Sequence, residues 1–253
     1  MTAPGAVAPV EFVPERGRLR LPLEAFDALV AGPGADPGAD AALEAAGVTT
    51  GGAHHPVVEM LVAPALAPTC VVEVSVAGAR GSTGHRVFVS PGGATALLHV
   101  SDGLVQVVAA RADGVPALVA RTVHLGPRPR LGGGDAAPAP QDVSGLTLAE
   151  PSTVAAAADR LAASTPWPTF ADALRAGTWR LWTARATWPG PDGETGGRAL
   201  TVLDTPAGMA QVCGLDESGS EGAPDVRLTP ATPSSVWLGL VRLLPGDDEL
   251  PPA

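Results

Sequence analysis

Four amino acids are missing from this chain altogether: lysine, isoleucine, asparagine and tyrosine. Without lysine no Walker-type phosphate loop can exist, so "GARGSTG" (78–84) is not one. The same four residues have AT-rich codons, which marks a GC-rich genome and leaves Val, Leu and Ala to build strands and helices alike. Cysteine is nearly absent. Cys70 and Cys213 lie far apart, a bridge between them is possible, and the plainer expectation is two small buried thiols. No apolar run is long enough to span a membrane, and "MTAPGAVAPVEF" lacks the basic and apolar regions of a signal peptide, so the expected location is the cytoplasm. Positive charge is scarce. Sixteen arginines against 26 acidic residues leave a net charge of −10, which repels nucleic acid and other polyanions. Arg16, Arg18 and Arg20 alternate as a solvated face of an extended segment.

Catalytic patterns are missing as well. His54–His55 opens a helix and cannot share one helical face, and His85, His99 and His124 have no metal-ligand spacing. Ser82 has Arg80 where a nucleophile elbow needs glycine, "SGSEG" (218–222) is out of frame, and "GPGADPG" (32–38) is spaced as a turn. The acidic "GDDEL" (246–250) reads as a solvated tail. No catalytic residue, metal site or cofactor is expected, and an enzyme is the least favoured class.

What is present is a globular chain of 253 residues with 45% apolar residues and many glycines and prolines. Hydrophobic periodicity predicts helices over 22–30, 40–46 (capped by Asp40), 56–63 (closed by Pro64), 152–163 (capped by Ser152) and 168–176. Val115, Leu118, Val119, Thr122 and Val123 form a further helical stripe. In the last helix Thr232 is the cap, Pro233 opens the first turn, and Val236, Trp237, Leu240, Val241 and Leu244 recur at helical spacing. Strands are predicted over 17–21, 70–76 and 179–188, as hairpins over 84–100 and 196–215, and as extended pieces at 105–107, 143–148 and 226–228.

These elements fall into two similar runs: 1–125 and 143–253, joined by a Gly/Pro-rich connector (126–142) that reads as a linker or exposed loop. Each run orders an extended piece, helices, a three-stranded meander, a strand and a helix. The expected fold is therefore α+β: a quasi-two-fold duplication around a central, mostly antiparallel sheet with helices on one side. Four of the five tryptophans lie in 167–188. Trp182 and Trp188 share a strand face and are expected in the core under helix 152–163. The opposite stripe, Leu181, Thr183, Arg185 and Thr187, is a candidate partner surface, favoured by the arginine.

Several segments are similar to the EspG family of cytoplasmic chaperones that serve actinobacterial type VII (ESX) secretion. "GRALTVLDTPAGMAQV" (197–212) resembles that family's strand, V-x-D-T-x-x-G turn and strand, with Val202, Asp204, Thr205 and Gly208 in the pattern positions. "VRLTPATPSSVWLGLVRLLP" (226–245) resembles its closing strand, P-A-x-P turn and terminal helix through Pro230, Ala231 and Pro233. "CVVEVSV" and "HRVFVSPGGATALLHVSDG" resemble its central strands, and "LPLEAFDALV" its first helix. The resemblance implies a chaperone that covers the apolar tip of a PE/PPE-like or WXG-type helical hairpin, as a monomer or weak dimer, with no nucleic acid, membrane or cofactor. It also implies a gripping loop, whose equivalent here is 77–84, making Arg80, Ser82 and Thr83 candidate contacts. The alternative is an interaction or regulatory module unrelated to secretion.

Overall fold

The computed structural model describes residues 9–101, 103–214 and 226–251. Among these residues it is an α+β protein of eight α-helices and a ten-strand antiparallel sheet. The strands are β1 (Glu11–Val13), β2 (Arg18–Pro22), β5 (Cys70–Gly78), β6 (Gly81–Ser90), β7 (Gly93–Ser101), β8 (Leu104–Ala110), β9 (Arg180–Pro189), β10 (Thr195–Thr205), β11 (Gly208–Cys213) and β12 (Arg227–Ala231). Their order is β1-β2-β8-β7-β6-β5-β9-β10-β11-β12, and a two-stranded pair, β3 (Thr49–Thr50) and β4 (Ala53–His54), stands apart. The helices are α1 (Leu23–Ala31), α2 (Pro37–Ala45), α3 (Pro56–Leu66), α4 (Val115–Thr122), α5 (Pro140–Ser144), α6 (Pro151–Ser164), α7 (Pro168–Arg175) and α8 (Pro233–Val241). Six of the eight, all but α1 and α4, open on a proline. Proline's missing N–H costs nothing at that position and its fixed φ suits the first turn. None of these helices is long and apolar enough to cross a membrane.

The chain divides into two compact units: residues up to Val72 with His85–Val115, and Glu73–Gly84 with residues from Pro116 onward. In the first unit, cross-strand neighbours Leu97, Val107 and Leu19 form one stripe of the sheet. Phe26 and Leu29 of α1 and Leu61 and Val62 of α3 complete its core. The buried Thr95 hydroxyl donates to the Leu61 carbonyl at 2.6 Å, tying α3 to β7, and Phe26 stacks on Phe88 at 6.1 Å. Two predicted helix limits are corrected here. Asp36, not Asp40, caps α2 by accepting from the Gly38 and Ala39 amides, while Asp40 accepts from Gly34. Pro64 sits inside α3, which runs on to Leu66; its ring is accommodated in the final turn and does not close the helix. The histidine pair is half-buried: His55 caps α3 through Nδ1, which accepts from the Val57 amide, and meets Phe12 edge-on at 5.1 Å. Arg18 and Arg20 pair with Glu11, and Arg20 donates to Gln106.

His85 closes the β6–β7 ladder. Its Nδ1 accepts the His99 backbone N–H at 3.0 Å, which requires a neutral ring. Burial first, and the neighbouring His99 second, hold the His85 imidazole below the ordinary histidine value. The folded state therefore resists this proton more than the unfolded chain does. The resulting stability is complete above about pH 6.5, the ordinary histidine value, and is lost as pH falls below it. Amide exchange at His99, corrected for intrinsic rate, is expected to be faster at pH 5 than at pH 7.5; equal protection at both would refute the assignment.

In the second unit helices lie on both faces of the sheet, a correction to the expectation of one. β9 and β10 carry two apolar stripes, because Leu181 faces Leu203 on one side and Trp182 faces Val202 on the other. A strand apolar on both faces demands cover on both. α6 and α7 bury the Leu181–Leu203 stripe with Leu161, Phe170 and Leu174. α8 lies on the other face, with Gly239 so close to Leu200 that a Cβ there would stand 3.0 Å from it. Trp182 and Trp188 are buried as expected, but α6 covers the opposite stripe, where Trp167 and Trp179 join its core. The predicted extended piece 143–148 is helical, formed by α5 and the short turn Gly145–Thr147. The position beside β12 is taken by Ala136, which exchanges two backbone hydrogen bonds with Leu228 at 2.9 and 2.8 Å. Cys70 is buried, Cys213 is exposed at the outward end of β11, and no disulfide joins them. The acidic tail is anchored as well. Glu249 takes two 2.7 Å bonds from Arg198, whose guanidinium lies over Trp188 at 5.3 Å. The Gly246 N–H, and then Arg198, hold the Glu249 carboxyl below its ordinary range.

Candidate functional site

The connector is docked on the second unit, not free. Arg128 places Nε and Nη2 on the two oxygens of Asp204 at 2.8 and 2.9 Å, and its Nη1 donates to the Pro127 carbonyl. Asp204 is the next-to-last residue of β10, its side chain is 3% exposed, and its Oδ2 also accepts from Arg180 at 3.0 Å. Two short charge-assisted pairs offset the burial of one carboxylate. Next along the chain, Thr205 shapes the β10–β11 turn: its hydroxyl donates to the Gly208 carbonyl and accepts from the Ala207 amide. Gly208 has φ +151, and a Cβ there would meet Leu131 of the connector at 2.5 Å. Val202, Asp204, Thr205 and Gly208 thus fill four structural posts: core residue, ion-pair centre, turn former and close approach.

Around Asp204 lies an open cleft of about 540 Å³ lined by Arg80, Arg128, Arg180, Thr178 and Pro206 among others. Three arginines and one carboxylate line it, a surplus of two positive charges on a chain of net charge −10. Arg80 is delivered by the β5–β6 hairpin. The predicted loop 77–84 is almost all strand: β5 ends at Gly78, β6 begins at Gly81, and Ala79–Arg80 alone make the turn. That turn sits against the link between α7 and β9, since a Cβ on Gly177 would stand 3.1 Å from the Ala79 Cβ.

Pro127 also lines a second, apolar groove of about 720 Å³ with Ala120, Leu125, Pro233, Trp237 and Leu238. Its two walls are helix ends. α4 stops because His124 takes a left-handed conformation (φ 54), and the Leu125 N–H folds back onto the Ala120 carbonyl at 2.8 Å, a Schellman-type close. α8 starts where Thr232 and Ser235 cap each other reciprocally. α8 is apolar nearly all round. Val236 and Leu240 point inward, while Trp237, Leu238 and Val241 remain 39%, 52% and 46% exposed. The buried side of α8 serves the core, and its other apolar side remains on the surface.

The predicted contact residues do not form one site. Arg80 lines the basic cleft, and Ser82 and Thr83 are exposed just beyond the turn on β6. Leu181 is 4% exposed, enclosed by α6 and α7, so it offers no open surface. The half-buried Thr183 pairs its hydroxyl with that of Thr201 at 2.9 Å. Arg185 and Thr187 are half-buried further along the same stripe. Thr187 stands about 23 Å along β9 from Arg180, at a strand rise of about 3.3 Å per residue. The sequence pattern did not single out Arg128, Arg180 or Leu238, and it gave Trp237 only as one member of the helical repeat of α8. The signal for Arg128 was present in "GPRPR" (126–130), where two arginines alternate with prolines at the start of the connector.

Fold and site together define an α+β protein with an apolar groove beside a basic cleft. No protein-family profile matches the chain. No curated protein matches its sequence.

Proposed function

We propose that this chain is an EspG-like cytoplasmic chaperone that reversibly shields the apolar tip of a PE/PPE-like or WXG-type helical hairpin for type VII secretion. The observation that carries the reading is the groove at Trp237 and Leu238, an apolar surface held open between two capped helix ends. A hairpin tip presents apolar side chains over a small area, and a concave apolar wall with a rigid tryptophan anchor suits it.

The same proposal includes duplication, with 1–125 and 143–253 as diverged copies. Its support is the order of pairing. β5, β6, β7 and β8 are successive neighbours, as are β9, β10, β11 and β12. An upstream segment then pairs antiparallel with the last strand of each series: β2 with β8, and Ala136 with β12. A helix follows each last strand, α4 in one run and α8 in the other.

The test is co-expression with the PE–PPE-type or WXG-type pair encoded nearest to the gene. One such pair should copurify. Trp237→Ala should weaken its binding by about 2 kcal/mol, roughly 30-fold, without lowering the melting temperature appreciably. If neither pair copurifies, or if the variant binds like the parent, the chaperone reading fails.

A further inference from the structure

The basic cleft offers more hydrogen-bond donors than the protein itself uses. Arg128 is committed, with bonds from Nε and Nη2 to Asp204 and from Nη1 to Pro127. Arg180 gives Asp204 a single bond from Nη2, and among the described residues its Nε and Nη1 make none. The guanidinium of Arg80, at the exposed hairpin turn, has no ion-pair or hydrogen-bond partner among the described residues. Three separate segments therefore bring cations together, yet the one carboxylate in the cleft leaves two of the positive charges unmatched.

That arrangement has an electrostatic cost unless something anionic joins it. Like charges gathered at one place repel, and Asp204 fixes two of the guanidinium groups so that they cannot swing apart. The fixed, planar forks of arginine match a two-oxygen acceptor better than a halide or a neutral amide. The rest of the chain limits the size of the guest. At net charge −10 it repels an extended polyanion, so a single anionic group is favoured over a nucleic-acid backbone.

We infer that this cleft is an oxyanion-binding site, taking one carboxylate or one phosphate group. Arg80 and Arg180 contact the anion, and Arg128 and Asp204 are the positioning residues that hold Arg180 in place. The inference does not depend on the chaperone reading. The anion has two possible sources: a small phosphorylated or carboxylated molecule, or an acidic side chain of a protein seated in the adjoining groove, since Pro127 borders both.

The experiment uses the full chain and follows the arginine side-chain Nε–H resonances by NMR. Inorganic phosphate and acetate are added in turn, with chloride adjusted to keep ionic strength constant. Either anion should shift the Arg80 and Arg180 signals in a saturable way. Arg80→Gln, which removes no internal bond, should weaken the apparent affinity at Arg180 about tenfold. Phosphate saturating about tenfold or more below acetate would assign the site to a phosphorylated small molecule. Similar, weak saturation by both would assign it to a protein carboxylate. Shifts that never saturate, or that are the same in Arg80→Gln and the parent, would mean general charge screening and would overturn the site.

Discussion

Replacing Asp204 with alanine is expected to destabilise the protein by about 3–5 kcal/mol. The carboxylate is 3% exposed and is the common acceptor for Arg128 and Arg180, themselves 19% and 31% exposed. Without it the two guanidinium groups face each other with no counter-charge. They are not fully solvated, so water replaces the lost partner only in part. For a chain of this size each kcal/mol moves the melting temperature by about 2–4 °C, so a fall of roughly 10 °C is expected. Arg128 would also release the connector, and exchange of the Ala136 and Leu228 amides should quicken with it. Asp204→Asn, which keeps an acceptor, should lose less. A loss below about 1 kcal/mol for the alanine variant would show that the pair of bridges contributes no more than exposed ones do.

Gly208→Ala is expected to cost about 2–4 kcal/mol from two separable sources. Its φ of +151 is a conformation that L side chains avoid, and the new methyl would stand 2.5 Å from Leu131 Cδ2 and 3.2 Å from the Pro129 carbonyl. Gly81→Ala provides the comparison. It also has a positive φ, +132, but nothing lies within 4 Å of the added carbon, so only the backbone term applies. The difference between the two variants in urea unfolding measures the collision with the connector. Leu131→Ala in the Gly208→Ala background should recover part of it. Equal losses at the two glycines would mean that the connector yields freely, contrary to its docked placement.

The strands and helices were legible because their signals are local. Alternation marks β9, helical spacing marks α6 and α8, and Thr232 with Pro233 marks a helix start from chemistry alone. Three features were not local. The segment 143–148 alternates like a strand, but Pro140 starts a helix just ahead of it and the edge of β12 is taken by Ala136. The side on which α6 packs was undecidable from β9 alone, since both of its stripes are apolar at the Leu181–Trp182 end. The connector has the composition of a linker, and its attachment depends on Asp204 and Gly208, more than 70 residues away. The candidate surfaces followed the same rule. Arg80 was visible as a charged turn, whereas the cleft it shares with Arg128 and Arg180 exists only after three distant segments meet.

The outer side of α8 has a bearing on how the purified chain behaves alone. Trp237, Leu238 and Val241 make a greasy ridge that would gain by meeting its own image on another copy. What opposes such pairing is mutual repulsion between molecules that each carry ten excess negative charges. Concentrated salt, or acid that titrates those carboxylates, removes the repulsion and leaves the ridge, so the uncomplexed chain is best handled in dilute buffer above neutrality.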